Sequence, residues 1–165
     1  MMAADHHPPV PSPENALGTF VRHVCRYFET VGGSSPRMLE ASIELGTPSR
    51  LAKTGYMAIS GAADGWIALS MPDPMLHRLL EQVGESLRDQ AALLDLTAEM
   101  AGSITSNARA EYGERLRVAP PFAINCADPE PALPQPPVSL KLPFSWENHE
   151  AFLLIALLPP PTSRS

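Results

Sequence analysis

Near its C-terminal end the chain carries seven apolar residues in succession, Phe152-Leu-Leu-Ile-Ala-Leu-Leu158. Successive side chains of a strand point to opposite faces, so a strand apolar at every position has no face to offer water. The run is far short of the ~18 residues that would span a bilayer. It therefore predicts an inner strand, covered on both faces or by a partner, and the rest of the chain must supply that cover.

The flanking sequence supplies it. Val138 to Trp146 reads as a strand joined to the run by a hairpin at Glu147-Asn-His-Glu150. Residues 56–60 and 66–71 flank Gly61-Ala-Ala-Asp-Gly65, a second hairpin with glycine providing positive φ. Leu39, Ala41, Ile43 and Leu45 alternate with Glu40, Ser42 and Glu44, the pattern of a half-buried strand. Phe122 to Cys126 reads as a further strand. Residues 128–137 hold five prolines (129, 131, 134, 136 and 137) and must be a loop, because proline cannot donate to a central ladder.

Helices cover the strands. Ser12 and Pro13 form a plausible N-cap and N1 pair, behind which Leu17, Phe20, Val21, Val24, Cys25 and Phe28 recur at helical spacing until Gly32 and Gly33. Pro72-Asp-Pro74 opens a short helix carrying Leu76, Leu79, Leu80 and Val83, ended by Gly84. A long helix is expected from about Ser86 to Tyr112, closed by Gly113. The sum is an α+β domain of two layers, a largely antiparallel sheet of about six strands packed against about three helices. Residues 1–13 read as a mobile Pro-rich tail, 14–158 as a single domain and 159–165 as a frayed tail.

The long helix carries the most informative pattern. Asp95, Glu99, Gly102, Ser103 and Ser106 fall at i, i+4, i+7, i+8 and i+11 and share one polar face poor in bulk. Leu94, Ala98, Ala101, Ile104 and Ala108 line an apolar face, the natural side to bury. The polar stripe would let a partner's backbone or a small group approach the helix closely.

Composition narrows the function classes. A net charge of −6 and no basic cluster argue against nucleic acid and anionic lipid as partners. The N-terminus has neither the basic nor the apolar segment of a signal peptide, so a cytoplasmic location is expected. Cys25 and Cys126 read as buried free thiols. His6 and His7 in the tail, and His77 and His149, read as solvated, with no Asp or Ser at triad spacing. Trp66, Phe144 and Trp146 read as core aromatics. No group of residues has metal-ligand spacing, and Gly61 to Gly65 is too short for a phosphate loop.

In order along the chain, five stretches resemble the CheX-like, CheC-type family of chemotaxis phosphatases. They are Trp66-Ile-Ala-Leu-Ser-Met-Pro72, Glu81-Gln-Val-Gly-Glu85, Glu99 through Asn107-Ala-Arg109, Val118-Ala-Pro-Pro-Phe122, and the closing hairpin from Leu142-Pro-Phe144 to Ala151-Phe-Leu-Leu-Ile-Ala-Leu157. The resemblance implies the CheX-like fold over most of residues 15–158, and edge-strand pairing into a homodimer. It implies a CheY-type response-regulator receiver domain as partner, whose aspartyl phosphate is hydrolysed. In the family a Glu pairs with a Lys of the regulator, and an Asn three positions later orients the attacking water. Glu99 stands at the Glu position. Gly102 stands at the Asn position, with no side chain to hold a water, and such a loss typically costs ~10² or more in rate. Ser103 is the nearest substitute, about 100° round the helix; Asn107 lies further round and in the family looks structural. Asp95, Glu99, Ser103 and Ser106 are then the partner-binding residues. No cofactor of its own is implied, since the Mg2+ would belong to the receiver. The resemblance leaves three readings: a weak or degenerate phosphatase, a non-catalytic receiver-binding module, and a homodimeric scaffold.

Overall fold

The computed structural model describes residues 13–134 and 138–158. Ser12, His6, His7, most of the expected N-terminal tail, the end of the Pro-rich loop and residues 159–165 lie outside them. The chain runs α1 (Pro13–Tyr27), a π turn (Phe28–Gly32), β1 (Arg37–Met38), β2 (Ser42–Leu45), β3 (Lys53–Gly61) and β4 (Asp64–Met71). It continues through α2 (Asp73–Gln82), α3 (Gln90–Arg109), β5 (Leu116–Val118), β6 (Phe122–Asn125), β7 (Val138–Trp146) and β8 (His149–Leu158). The fold is α+β, with three helices on an antiparallel sheet of eight strands among the described residues.

The apolar run forms β8, which lies between β7 and β4 in the order β1-β7-β8-β4-β3-β5. Leu153 and Ile155 face the helices, in the main core with Phe28, Met75, Leu93 and Met100. Phe152, Leu154 and Ala156 face the other way, in a second cluster with Tyr56, Trp66 and Ala68. The Pro-rich segment closes over that second face: Leu133 packs on the cluster, and the Trp66 indole N–H donates to the Pro134 carbonyl at 2.8 Å. Both faces of β8 are thus dry, as its sequence requires.

The sheet has more strands than the pattern of the sequence indicates, because each outer edge is in two pieces. At one edge β2 and β1 both pair with β7, opposite residues 138–141 and 144–145. Between them the Pro143 carbonyl accepts from Leu39 N–H at 2.9 Å. The carbonyl and amide of one strand residue point the same way, so the N–H that Pro143 lacks is missing on this edge, and the ladder breaks there. For this reason, with β1 formed at 37–38, the strand expected at 39–45 is cut back to 42–45. Its apolar residues point to the helix side of the sheet, but the helices stop short of the edge, leaving Ile43 68% and Leu45 77% exposed rather than half-buried. At the other edge β5 and β6 both pair with β3, interrupted at Pro120 and Pro121.

Helix α3 starts later than expected. The Asp89 carboxylate caps it by accepting from Ala92 N–H at 2.9 Å, and the Arg88 guanidinium bonds the Glu85 carbonyl at 2.9 Å, which leaves Ser86 to Arg88 in the connection. The helix ends at Arg109, and a turn leads to Gly113 at φ 78°. Gly61, at φ 98°, supplies the positive φ of the β3–β4 hairpin. At α2, the buried Lys53 ammonium holds Asp73 of the first turn at 2.9 Å. Both cysteines are free, but Cys126 is exposed rather than buried, since it falls just past the end of β6, and Cys25 is only half-buried. His77 is exposed, whereas His149 is half-buried at the start of β8; Trp66, Phe144 and Trp146 are buried.

Helix α3 sits close on β3 at a glycine. A Cβ at Gly55 would lie 2.6 Å from the Thr97 carbonyl oxygen and 3.0 Å from Ala101 Cβ. Only a residue without a side chain lets the helix backbone sit this low on the sheet. Gly55→Ala should therefore lower the unfolding free energy by about 1–3 kcal/mol through overpacking, read as a lower urea midpoint at unchanged slope.

Candidate functional site on helix α3

Four of the five residues placed on one face of α3 do share a surface. Asp95, Glu99 and Ser106 are exposed, and Ser103 is half-buried between them. Leu94 and Ala98 are only half-buried, because the helix leans its Leu93, Leu96, Thr97, Met100 and Ala101 side onto the sheet.

Gly102 departs from the expected stripe. It is buried, and a Cβ on it would lie 2.9 Å from Pro121 Cγ and 3.4 Å from Pro121 Cβ. The proline ring, carried by the break between β5 and β6, lies where a side chain at 102 would project. Gly102 thus serves close packing on the α3 flank, and no open hole marks its missing side chain.

Beside the stripe, between the π turn, the loop after α2 and the first half of α3, lies a groove of about 510 Å³. Glu99 and Asp95 form part of its wall, and Tyr27 faces them from the end of α1. Burial first, and the negative charge of Glu99 second, push the Tyr27 phenol up to about 12. Neither Tyr27 nor the exposed Val83 and Leu87 at the groove mouth stands out in the sequence as part of a site. The signal is absent because chain folding, not spacing, brings α1 and the α2–α3 loop to Glu99.

A second hollow of about 440 Å³ lies further along the same α1–α3 seam, lined by Arg22, His23, Arg26, Asn107 and Glu111 among others. Glu111 accepts from Arg22 and lies 2.7 Å from His23 Nε2. Burial works to raise the Glu111 pKa, but His23 and Arg22 outweigh it and hold the carboxyl below its usual range. Asn107 is exposed on this hollow, away from Glu99, and so does not fill the place of a side chain at 102. Among the described residues no group of three or more His, Cys, Asp or Glu could hold a metal ion, and no helix is long and apolar enough to cross a membrane.

Solved structures of CheC-like and CheX proteins share this architecture of an antiparallel sheet backed by a long helix. The chemotaxis protein CheX of Vibrio vulnificus superposes with a TM-score of 0.73 at 16% identity, over 87% of this chain and 99% of that one. CheX of Desulfovibrio desulfuricans gives 0.73 at 17%, over 87% and 99%. CheX of Borrelia burgdorferi, in a complex with CheY, BeF3 and Mg2+, gives 0.66 at 13%, over 86% and 97%. No curated protein matches in sequence. The family model described as chemotaxis phosphatase CheX matches residues 53–145, from the start of β3 almost to the end of β7. The chain belongs to the CheX family.

The Tyr27–Glu99 proximity makes a measurable alkaline signature. Tyr27 holds its proton more tightly folded than unfolded, so its contribution to stability is complete below the unfolded value of 10.0 and is lost as pH climbs towards about 12. Absorbance titration of tyrosinate should show this late midpoint, which Tyr27→Phe removes and Glu99→Gln moves down.

Proposed function

We propose that this protein docks on a CheY-type receiver domain through the Asp95, Glu99, Ser103 and Ser106 face of α3, and binds it without turnover. Family membership supplies the partner class, and a CheX bound to CheY is known from Borrelia burgdorferi. The observation that carries the non-catalytic half is the Pro121 ring packed over Gly102. At the position where the resemblance places a water-orienting Asn, the chain offers neither an amide nor room for one. Ser103, the substitute nearest in sequence, is half-buried and a hydroxyl is shorter than an amide. Glu99 remains exposed and able to meet a Lys of the receiver. The Mg2+ and the scissile bond belong to the receiver, and the protein contributes no cofactor.

The test mixes the purified chain with a phosphorylated CheY-type receiver from its own genome and follows both binding and phosphate release. Binding without faster release is the expected result, and Glu99→Ala should weaken it by about tenfold, ~1.4 kcal/mol. Gly102→Asn alone should cost about 1–3 kcal/mol of stability by overpacking. Paired with Pro121→Ala, which clears the ring, it should begin to accelerate release. Acceleration by the native chain would assign the water to another residue, Ser103 first. Absence of binding would leave the homodimeric scaffold ahead.

A second copy of the chain is the other partner the fold supports. β2 is an edge strand whose Ile43 and Leu45 lie exposed beside Val138, itself 47% exposed. Pairing of β2 with its counterpart would continue the sheet and cover them. Ile43→Lys with Leu45→Lys should convert a dimer to a monomer by light scattering, with monomer stability changed by no more than about 0.5 kcal/mol.

A further inference from the structure

The groove beside α3 extends well past the docking stripe and has a chemistry of its own. Its floor is apolar, built by Val31, Leu96 and the Tyr27 ring. At its mouth Val83 is 46% and Leu87 64% exposed, two large side chains from the α2–α3 connection with nothing over them in the monomer. Four carboxylates, Glu85, Asp89, Asp95 and Glu99, stand around it, and its lining contains no Lys, Arg or His. Arg88, the cation adjacent in sequence, is turned back on the Glu85 carbonyl and does not fill the space. Asp89 caps α3 through one carboxylate oxygen, which accepts from Ala92 N–H.

Such a surface selects by charge as well as by shape. An acidic or purely apolar occupant would leave four carboxylates facing a low-dielectric contact without counter-charge, which is costly. A positive one gains attraction at the rim and buries its apolar side on the floor. From Asp89 to Glu99 the groove follows about 15 Å of α3, room for about three turns of a second helix laid beside it. The Tyr27 ring next to Glu99 is suited to an ammonium or guanidinium head, by charge and by the ring face together.

We infer that this groove seats a cationic amphipathic helix of a protein partner, one large apolar side chain anchored between Val83 and Leu87 and its Lys or Arg residues met by Glu85, Asp95 and Glu99. The inference stands on the groove and holds whether or not a receiver domain binds the stripe.

The probe is a short synthetic helix with Leu and Phe on one face and Lys on the other, beside a peptide of the same pattern with Glu in place of Lys. Each is titrated into the full chain and followed by amide and methyl NMR, with no receiver present. The Lys peptide should shift Val83, Leu87, Asp95 and Tyr27 saturably, bind less tightly as salt rises, and leave the Glu peptide inactive. Leu87→Ser should weaken it tenfold or more, and Asp95→Lys should do so without touching the floor. Both side chains are exposed, so the melting temperature should hold. Equal binding of the two peptides, shifts confined to another face, or indifference to both variants would overturn the inference. Failure of receiver docking would not bear on it, since no receiver enters the experiment.

Discussion

The close seating of α3 on β3 sets the geometry on which the other parts depend. The joint exists because β3 offers the helix a glycine, Gly55, opposite Thr97 and Ala101. With the helix this low, its larger residues, Leu93, Met100 and Ile104, reach the core shared with β4 and β8. The same seating brings the Gly102 flank against Pro121 and turns Asp95, Glu99 and Ser106 outward. A methyl group at position 55 would lift the helix and disturb all three contacts at once, since cores transmit displacement rather than absorb it.

Within α3, burial separates residues that spacing alone puts together. Asp95, Glu99 and Gly102 fall on one helical face when drawn as a wheel, yet Glu99 is exposed and Gly102 is covered. The dividing line is drawn from outside the helix, by the proline ring that arrives from the β5–β6 break. A groove-side acid and a packed glycine are therefore two different devices on one helix, the first available to a partner and the second committed to the fold.

Much of this was legible in the chain itself. The all-apolar run had to become a central strand, and Gly61 and Gly84 marked the ends of their elements, because each rests on local chemistry. The short pieces β1 and β5 were not legible, since a ladder of two or three residues leaves no periodicity to read. The exposure of Ile43 and Leu45 was invisible for another reason: alternation tells which face a residue takes, not whether anything covers that face. Of the site, the stripe of α3 could be read from spacing. The groove could not, because Tyr27, Val83 and Leu87 meet Glu99 only when separate helices are packed together.

The broken edges of the sheet carry a consequence for how large an assembly can grow. At one margin β2 offers four residues of ladder before the interruption opposite Pro143. At the other, Pro120 and Pro121 fall outside the ladder between β5 and β6, and the Pro121 ring packs on α3. A sheet polymerises only when both margins can take a neighbour, head to tail, without end. Here both margins are broken by proline, and neither offers an unbroken ladder longer than four residues. Short, proline-broken margins make poor templates for edge-to-edge growth, on a molecule that leaves Ile43 and Leu45 in water at one of them.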